Sequence, residues 1–443
     1  VDGCFESRLG KIRKRLLGVL RPTPIVPVGD YHQLYSGRRQ AIYKRAADSL
    51  LLRGVEIRDS VVKTFVKAEK VNFSAKGDPA PRVIQPRDPR YTLSVGRYLK
   101  LFESQLCHGF KKLWGYAVIL KGLNATQVAT TLRDSWDRYT HPCAIGLDAS
   151  RFDQHVSMDA LRFEHSIYNG VFKSAELRQL LQWQLRNKGI GRAGDGSVKY
   201  KVDGCRMSGD INTGMGNCLL MASIVLAYIE DRGIDARLAN NGDDCVVICE
   251  QRDAGKFAGL EQWFLDFGFT LTREETVTDF ELIEFCQCHP VRVGEGWRMV
   301  RNPFTAMSKD CVSLLSWDTP TDLANWAGAI SSCGLALTSG VPVWEAWYGR
   351  LATFGRQDRH AVESVCDSGL GYMARGVESA VITEEARVSF YKAYGITPDT
   401  QIDLERQYAQ PHTLTALCRM TYPNVNALNK SNNPVAWLAN ANQ

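Results

Sequence analysis

Two adjacent carboxylates, Asp243 and Asp244, lie in the stretch 238–248, which has the pattern of two short apolar strands joined by a turn at 241–244. The pair Asn241-Gly242 is a strong hairpin signal because both residues tolerate a positive φ. The predicted hairpin would present both carboxylates at its tip, where they repel each other unless a cation lies between them. Mg²⁺ prefers such oxygen ligands. The stretch therefore predicts a metal site, with a solvated acidic turn as the alternative.

A second acidic position ends the stretch 141–148, which has the apolar character of a buried strand and finishes at Asp148. Asp153 follows across a strand end and a turn, where both carboxylates can face one cleft. Two strands that bring Asp148 and Asp243 to one point would bind two Mg²⁺ ions roughly 3.5–4 Å apart, the geometry of in-line phosphoryl transfer. One ion would then activate a 3′-hydroxyl, and the other would stabilise the triphosphate leaving group.

Basic residues alternate along two predicted strands, 62–70 and 81–90, which a Gly/Pro turn connects. Three phosphates need several positive donors, and arginine offers them a planar fork. Strands paired across this turn would line a channel for a triphosphate with four cations: Lys67, Lys70, Arg82 and Arg87.

A loop rich in glycine and small hydroxyl side chains is predicted for 200–217, ahead of a strongly apolar helix that includes 215–229. Serine, threonine and asparagine before a helix are ordinary capping residues. Three glycines within eight residues exceed what a cap needs and favour a flexible loop close to a ligand. The polar positions of this loop and of the helix start include Ser208, Gly209, Thr213 and Asn217.

The elements that must position these residues are predicted from apolar periodicity. Residues 8–20 are predicted as a short amphipathic helix or an edge strand, and 95–140 as mainly helical. His165 lies on the apolar stripe of one predicted helix, which suggests a satisfied core histidine. From about 291 onward, tryptophans among helical stretches indicate a separate helical subdomain. Further helices are predicted for 37–54, 158–172, 177–194 with a turn at its end, and 253–267.

Composition bounds the class of protein. Residues 1–100 carry 21 lysines and arginines against 9 aspartates and glutamates, within a net charge of +6 for all 443 residues. That asymmetry suits a polyanionic partner, with a solvated basic face as the alternative. The thirteen cysteines show no pairing rhythm, which predicts reduced thiols. The longest apolar run, 218–229, is too short to span a bilayer, and the start without Met predicts a processed or truncated chain.

Taken in order, these motifs resemble those of the RNA-dependent RNA polymerases of positive-strand RNA viruses, most closely the tombusvirus group of plant viruses. The resemblance covers roughly 62–300. Asp148-x₄-Asp153 is similar to the first palm motif, and Gly242-Asp243-Asp244 to the third. The second palm motif is matched by Ser208-Gly209-x₃-Thr213-x₃-Asn217. Arg82-Val-Ile is similar to the fingers motif over the triphosphate, and Phe285-Cys-Gln to the hairpin that supports the nascent strand.

The resemblance implies an α/β (α+β) fold, a right-hand polymerase with fingers, a palm of antiparallel sheet with helices, and a helical thumb. It implies RNA-templated RNA synthesis in viral genome replication and transcription. The implied divisions are an N-terminal region with fingers at 1–140, the first palm motif at 141–155, a fingers insertion at 156–199, the palm at 200–290, and the thumb with a C-terminal tail at 291–443.

The resemblance also implies a role for each site residue. Asp148 and Asp243 would be ligands of Mg²⁺, or of Mn²⁺ as an alternative ion, and Asp244 would assist them. The ribose 2′-hydroxyl would be inspected by Asp153, Thr213 and Asn217. Ser208 and Gly209 would form a mobile loop against template and nucleotide. The remaining nucleotide-binding residues would be Lys67, Lys70 and Arg82.

One motif departs from the family pattern. Many relatives carry a lysine as general acid in the turn after a helix, whereas the corresponding 269–276 holds no lysine. Arg273 is the nearest cation, but a guanidinium scarcely releases a proton near neutral pH. The proton donor is therefore left open between water and the pyrophosphate itself.

Two other functions share parts of this pattern. A reverse transcriptase shares the palm but usually places an aromatic side chain where Asp153 stands, and an inactive RNA-binding replicase subunit would lack the acids. The expected partners are template and nascent RNA, ribonucleoside triphosphates and a membrane-tethering viral replication protein, at membrane-associated sites in the host cytoplasm. The resemblance also implies initiation without a primer. Trp344 and Trp347 are candidates to stack under the first nucleotide, with a place in the core as the alternative.

Overall fold

The computed structural model describes residues 3–69, 80–194, 196–312, 319–356 and 373–420. The chain forms two compact units. The first unit comprises Val1–Lys67, Pro81–Lys121 and Ile145–Thr276, and the second comprises Ala68–Ala80, Gly122–Ala144 and Val277–Gln443. All predicted catalytic and nucleotide-binding residues other than Lys70 belong to the first unit. Lys70 lies outside the described residues.

The described residues contain both helices and strands, as expected for an α/β fold. The α-helices are α1 Cys4–Val19, α2 Gly37–Leu52, α3 Pro89–Leu99, α4 Phe102–Trp114, α5 Ala125–Trp136, α6 Phe152–His155, α7 Met158–Phe172, α8 Ala175–Gln182, α9 Thr213–Asp231, α10 Leu260–Asp266, α11 Pro303–Asp310, α12 Pro320–Thr338, α13 Trp344–Ala352, α14 Glu384–Tyr394, α15 Pro398–Ala409 and α16 Leu414–Met420. The strands are β1 Val62–Val66, β2 Val83–Ile84, β3 Pro142–Ala149, β4 Arg186–Ala193, β5 Gly196–Asp203, β6 Ala236–Asn241, β7 Asp244–Glu250, β8 Leu271–Arg273, β9 Cys288–Val293 and β10 Gly296–Arg301.

The first unit holds a sheet in the order β6-β7-β3-β8. β6 pairs antiparallel with β7, and β3 pairs antiparallel with β8 so that Asp148 lies opposite Thr272. Helix α9 packs beside β6, and its side chains are buried from Met215 to Ile229. Among the described helices, α9 is the single one that is long and apolar enough to cross a membrane, with a mean hydropathy of 1.3 over 18 residues. Within the protein, however, 83% of this 18-residue segment is buried. Its role in this structure is therefore that of a core helix.

A second sheet in the first unit has the order β2-β1-β4-β5. β1 pairs antiparallel with β2, which confirms the predicted strand pair, and parallel with β4. Here two predictions are wrong. Only 177–182 of the segment predicted as a helix and turn at 177–194 is helical, as part of α8, because Arg186–Ala193 forms β4. The predicted loop from 200 begins as a strand, since β4 pairs along its whole length with β5.

Helix α1 resolves the alternatives left open for 8–20. Its buried residues Phe5, Leu9, Ile12 and Leu16 recur every three to four positions, the spacing of one helical face. That face packs against α4, α7 and α9, so an edge strand is excluded. The helices predicted for 37–54 and 158–172 are confirmed. The helix predicted for 253–267 is a 3₁₀ segment, Gln251–Gly259, followed by the short α10.

The second unit combines the β9–β10 hairpin with helices α5 and α11–α16. β10 packs against α5, and β9 packs against α14. Trp344 and Trp347 are 1% and 0% exposed, and Trp344 stacks on Tyr348 at 5.3 Å between ring centroids. Both tryptophans therefore belong to the core of this unit, which confirms the core alternative. The twelve cysteines of the described residues are free thiols.

Candidate active site

The acidic hairpin forms where the sequence predicts it, with its turn at 241–244. Asn241 pairs with Asp244, so the two central residues of the turn are Gly242 and Asp243. Gly242 has a φ of 75°, which suits the first position of a hairpin loop and favours glycine. Buried Asn240 donates from Nδ2 to the carbonyl oxygen of Gly242 at 2.7 Å and so fixes the turn. Asp243 is thereby held at the tip, and Asp244 begins β7.

The carboxylates of the first unit influence one another electrostatically. Asp148 lies one residue before the end of β3, the strand next to β7 in the sheet. Burial raises the pKa of the Asp243 carboxyl above its ordinary value, and the negative charges of Asp153 and Asp148 raise it further. The positive charge of Arg82 acts in the opposite direction. Three acids and one cation predicted from the sequence are therefore close enough to interact.

Two of the three predicted ribose-sensing residues, Asp153 and Asn217, are joined directly. Asp153 lies in the single-turn α6. Arg151, the residue just before this helix, has a φ of 50°. Asn217 lies in the second turn of α9 and is 5% exposed. Its Nδ2 donates a hydrogen bond to Oδ1 of Asp153 at 2.7 Å. The neighbouring Phe152 is buried, and its ring stacks on that of Phe269 at 4.5 Å between centroids.

The loop before α9 packs against β2 and the residues that follow it. Ser208 Oγ donates to the carbonyl oxygen of Val83 at 3.4 Å and accepts from the backbone N–H of Gln85 at 3.2 Å. A Cβ at Gly209 would lie 2.6 Å from the backbone of Pro86, so this approach requires glycine. The hydroxyl of Thr213 donates to the carbonyl oxygen of Met207 at 2.8 Å. In this structure Thr213 therefore shapes the loop.

The predicted cations take two different positions. Lys67 follows β1, and its backbone N–H donates to the carbonyl oxygen of Arg82 at 2.8 Å, which places the two residues opposite each other. Arg82 is exposed and acts on Asp243. Arg87 does not line a channel, because its guanidinium is buried and pairs with Asp210 at 2.6 Å. The prediction for Arg87 is therefore wrong, and its hydrogen bond to Asn187 gives it a structural role.

Sequence reasoning missed a fully buried ion pair beside Asn217. Arg206 and Glu164 meet at 2.5 Å, with side chains 1% and 0% exposed. Burial alone would raise the pKa of Glu164, but the positive charge of Arg206 and several hydrogen bonds hold it below its ordinary value. The signal was a charged residue on an otherwise apolar helical stripe. On that same helix, His165 bonds to Gln184, which confirms the core histidine.

Arg273, the cation nearest to the position of the family's general acid, is engaged elsewhere. Arg273 forms an ion pair with Glu261 and belongs to β8, which pairs with β3. Phe285 forms an isolated bridge to Cys288 just before β9, so the segment resembling the family's supporting hairpin does lead into a hairpin.

The donor set is suited to a divalent cation. Carboxylate oxygens are the ligands that Mg²⁺ and Mn²⁺ accept, and a cation would relieve the repulsion that raises the pKa of Asp243. Within the described part of the chain, no three acidic, cysteine or histidine side chains converge around one ion position. The residues that could hold a metal are Asp148, Asp243 and Asp244.

Comparison with known proteins gives consistent matches over most of the chain. The family model described as viral RNA dependent RNA polymerase matches residues 1–416. The RNA-directed RNA polymerase of Turnip crinkle virus is 46% identical over 417 residues, which are 92% of this chain and 53% of that protein. That of Melon necrotic spot virus is 46% identical over 422 residues, 94% of this chain and 53% of that protein.

A third relative gives the same picture. The RNA-directed RNA polymerase of Tomato bushy stunt virus (strain Cherry) is 46% identical over 409 residues, 91% of this chain and 49% of that protein. The chain spans about half the length of these relatives. The chain belongs to the family of viral RNA-dependent RNA polymerases.

Proposed function

We propose that this chain synthesises RNA on an RNA template from ribonucleoside triphosphates, by phosphoryl transfer that two Mg²⁺ ions support, in viral genome replication and transcription. One observation carries the proposal: the charges of Asp148, Asp153 and Arg82 all act on Asp243 at the tip of the hairpin. In a chain of this family, that combination of acids and a cation suits a triphosphate and its metal ions.

The acids and cations of the first unit have separate tasks. Asp148, Asp243 and Asp244 would hold the metal, which when bound lowers the pKa of a 3′-hydroxyl and neutralises charge on the triphosphate. Arg82 and Lys67 bind the phosphates as charged donors. Arg273 already pairs with Glu261, and we leave proton transfer to the leaving group to water or pyrophosphate.

Ribose selection is the task of Asp153 and Asn217. A ribose 2′-hydroxyl can donate to Asp153, which the hydrogen bond from Asn217 already orients. Thr213 acts through the loop, since its hydroxyl bonds to Met207. A reverse transcriptase excludes that hydroxyl sterically, whereas position 153 carries a hydrogen-bonding carboxylate.

The β4–β5 hairpin supports RNA binding. Lys188 and Lys201 lie directly opposite each other, and Lys199 and Arg192 occupy the same face of the pairing. All four residues are exposed. Like charges directly opposite each other destabilise a strand pair, and the phosphates of an RNA strand would neutralise them.

We assign the β2-β1-β4-β5 sheet to the fingers and the β6-β7-β3-β8 sheet to the palm. The helices after β10 are assigned to the thumb.

We further propose primer-independent initiation at the 3′ end of the template. The described part of the second unit has helices α11–α16 after the β10 strand, more than a minimal thumb requires. Because Trp344 and Trp347 are core residues, the stacking aromatic must be sought elsewhere. A membrane-tethering viral protein that brings the chain to replication sites in the host cytoplasm also remains a proposal, testable by co-flotation with membranes in the presence and absence of that protein.

The test is incorporation of nucleotides on short templates with and without added Mg²⁺. We expect ribonucleotide incorporation that needs Mg²⁺, proceeds on an RNA template and starts without a primer. Synthesis of DNA from deoxynucleotides on the same RNA would instead identify a reverse transcriptase. RNA binding without incorporation under any metal condition would identify a binding subunit. Product that forms only on an annealed primer would contradict primer independence alone.

A further inference from the structure

Arg206 contacts both members of the ribose-sensing pair. Its backbone N–H donates to the carbonyl oxygen of Asp153 at 2.8 Å. Its Nε donates to Oδ1 of Asn217 at 3.0 Å. Since Asn217 in turn donates to Asp153 at 2.7 Å, the three residues close a ring of hydrogen bonds. Arg206 thus supports residues of two different elements: its guanidinium holds Asn217 of α9, and its backbone N–H holds Asp153 of α6.

The contact with Arg206 decides which way the amide of Asn217 points. An asparagine side chain offers one accepting oxygen and one donating NH₂ group, whereas arginine has donors only. Arg206 must therefore face the oxygen, and the NH₂ group must face Asp153. With Oδ1 of Asp153 held in this way, Oδ2 is the oxygen that we assign to the ribose hydroxyl. A reversed amide would present its oxygen to a carboxylate, which is repulsive.

Arg206 is itself held by Glu164 within a buried polar network. Its Nη2 donates to Oε2 of Glu164 at 2.5 Å. The other oxygen of Glu164 accepts from Tyr168 at 2.9 Å and from Asn212 at 2.8 Å. Both Arg206 and Glu164 are nearly without solvent contact. A buried ion pair adds little net stability because desolvation offsets the attraction, so its effect on geometry is the more informative one.

The backbone of α9 leaves no room for the pair to move. A Cβ at Gly216 would lie 2.5 Å from Nη2 of Arg206 and 2.5 Å from Oε1 of Glu164. Gly216 immediately precedes Asn217 in the helix. Glycine at this position lets the helix lie directly on the ion pair, which fixes the distance from the guanidinium to Asn217.

We propose that Arg206, held by Glu164, is a positioning residue for sugar selection: it orients the Asn217 amide so that Asp153 meets the ribose 2′-hydroxyl. The inference rests on the proposed function of Asp153 and Asn217. We assign Arg206 no contact with nucleotide or metal, and its effect passes through Asn217.

Arg206→Lys tests the proposal because lysine keeps the charge but has a single nitrogen. One ammonium at that site can satisfy Glu164 but cannot also hold the Asn217 oxygen with the geometry of a guanidinium. The ratio of kcat/KM for a ribonucleotide to that for the matched deoxynucleotide should fall by about tenfold or more, the size of a lost charge-assisted hydrogen bond. The loss should lie in ribonucleotide use, with deoxynucleotide use nearly unchanged.

A double-mutant cycle separates positioning from general damage. Arg206→Lys should add nothing to the loss of selectivity in Asn217→Ala, because both changes remove one contact. Arg90→Lys is the matched control, since Arg90 forms another buried pair, with Asp59 at 3.2 Å, in the same unit. It should lower stability and leave the ratio at the wild-type value. If Arg206→Lys fails to fold, Gly216→Ala displaces the same pair and should lower the ratio equally.

Binding of ribo- and deoxynucleoside triphosphates to the full chain, measured by competition with a fluorescent nucleotide, gives a second readout. The outcomes for the wild-type protein and for the variant separate this inference from the proposed function. A wild-type protein that polymerises without sugar preference would overturn the proposed role of Asp153 and Asn217 themselves. Selective wild-type protein with an unchanged ratio in Arg206→Lys, or additive losses in the cycle, would overturn the role of Arg206 alone.

Discussion

Asn217 donates a hydrogen bond from Nδ2 to Oδ1 of Asp153 at 2.7 Å, although the two residues are 64 positions apart in the chain. One belongs to the single turn that follows β3, and the other to the second turn of the core helix α9. Both partners belong to the fold itself, so the protein's own contacts hold the Asp153 carboxylate in one orientation. Such preorganisation lowers the cost of binding the correct sugar.

The first prediction concerns sugar choice. A site built to bond a hydroxyl leaves its own groups unpaired when a deoxynucleotide binds, which can give roughly 10⁴-fold discrimination. Asn217→Ala or Asp153→Ala should lower the preference for ribonucleotides over deoxynucleotides. The factor of this loss should be larger than the factor by which the rate of deoxynucleotide incorporation falls. Competition between matched ribo- and deoxynucleoside triphosphates on one RNA template measures this. Equal use of both sugars by the wild-type protein would contradict the RNA polymerase assignment.

The second prediction concerns stability at the hairpin tip. Because burial and neighbouring acids raise the pKa of Asp243, the ionised carboxylate is less favourable in the folded than in the unfolded protein above its ordinary pKa. Asp243→Asn should therefore raise the melting temperature of metal-free protein at neutral pH, and this gain should shrink as the pH falls. Calorimetry in the presence of a metal chelator measures this gain in melting temperature. A lower melting temperature would mean that the carboxylate stabilises the fold.

The third prediction separates triphosphate contacts from RNA contacts. Arg82→Ala should raise the apparent KM for nucleotides by about tenfold, the size of one charge-assisted contact, with little effect on RNA affinity. On α1, Arg13 pairs with Glu6 and Arg15 with Glu230, whereas Lys14 is exposed. If α1 contacts RNA, Lys14→Ala should reduce the slope of log affinity against log salt by about 1. An unchanged slope would leave α1 as a solvated face.

The fourth prediction uses the buried histidine of α7. Burial lowers the pKa of His165 from 6.5 to about 4, although the negative charge of Glu164 acts in the opposite direction. The unfolded chain therefore binds this proton more tightly, and stability is lost as the pH falls from 6.5 towards 4. The contribution of His165 to the pH dependence of the free energy of unfolding reaches about 3 kcal/mol. Denaturant unfolding of His165→Gln should show a flatter pH dependence, while His108→Gln on the surface should preserve the wild-type slope.

Much of the site could be predicted because its residues follow local rules. Apolar runs and a turn signal located the acidic hairpin, and periodicity located the helix from Met158 to Phe172. The predicted turn at 241–244 forms because a two-residue loop needs a positive φ at its first position, which Gly242 supplies.

What could not be predicted depends on pairing between distant segments. Strand β5 was missed because its residues are mostly exposed and gain their order from pairing with β4. Arg87 and Arg206 look like surface cations in the sequence, but each meets an acid that lies far away in the chain, Asp210 and Glu164. Only the tertiary structure shows that one of these pairs supports Asn217.

The most direct test of the central claim is nucleotide incorporation by Asp243→Asn on a short RNA template with Mg²⁺. The matched control is Asp231→Asn, which makes the same charge change at the last residue of α9. At 1.5 Å per residue, that position is about 27 Å from the first residue of this helix. We predict that Asp243→Asn remains folded and loses incorporation by several orders of magnitude, roughly 10³-fold or more, while Asp231→Asn keeps wild-type activity. Folded Asp243→Asn protein that incorporates ribonucleotides at a near-normal rate would contradict the assignment of this hairpin as the catalytic centre.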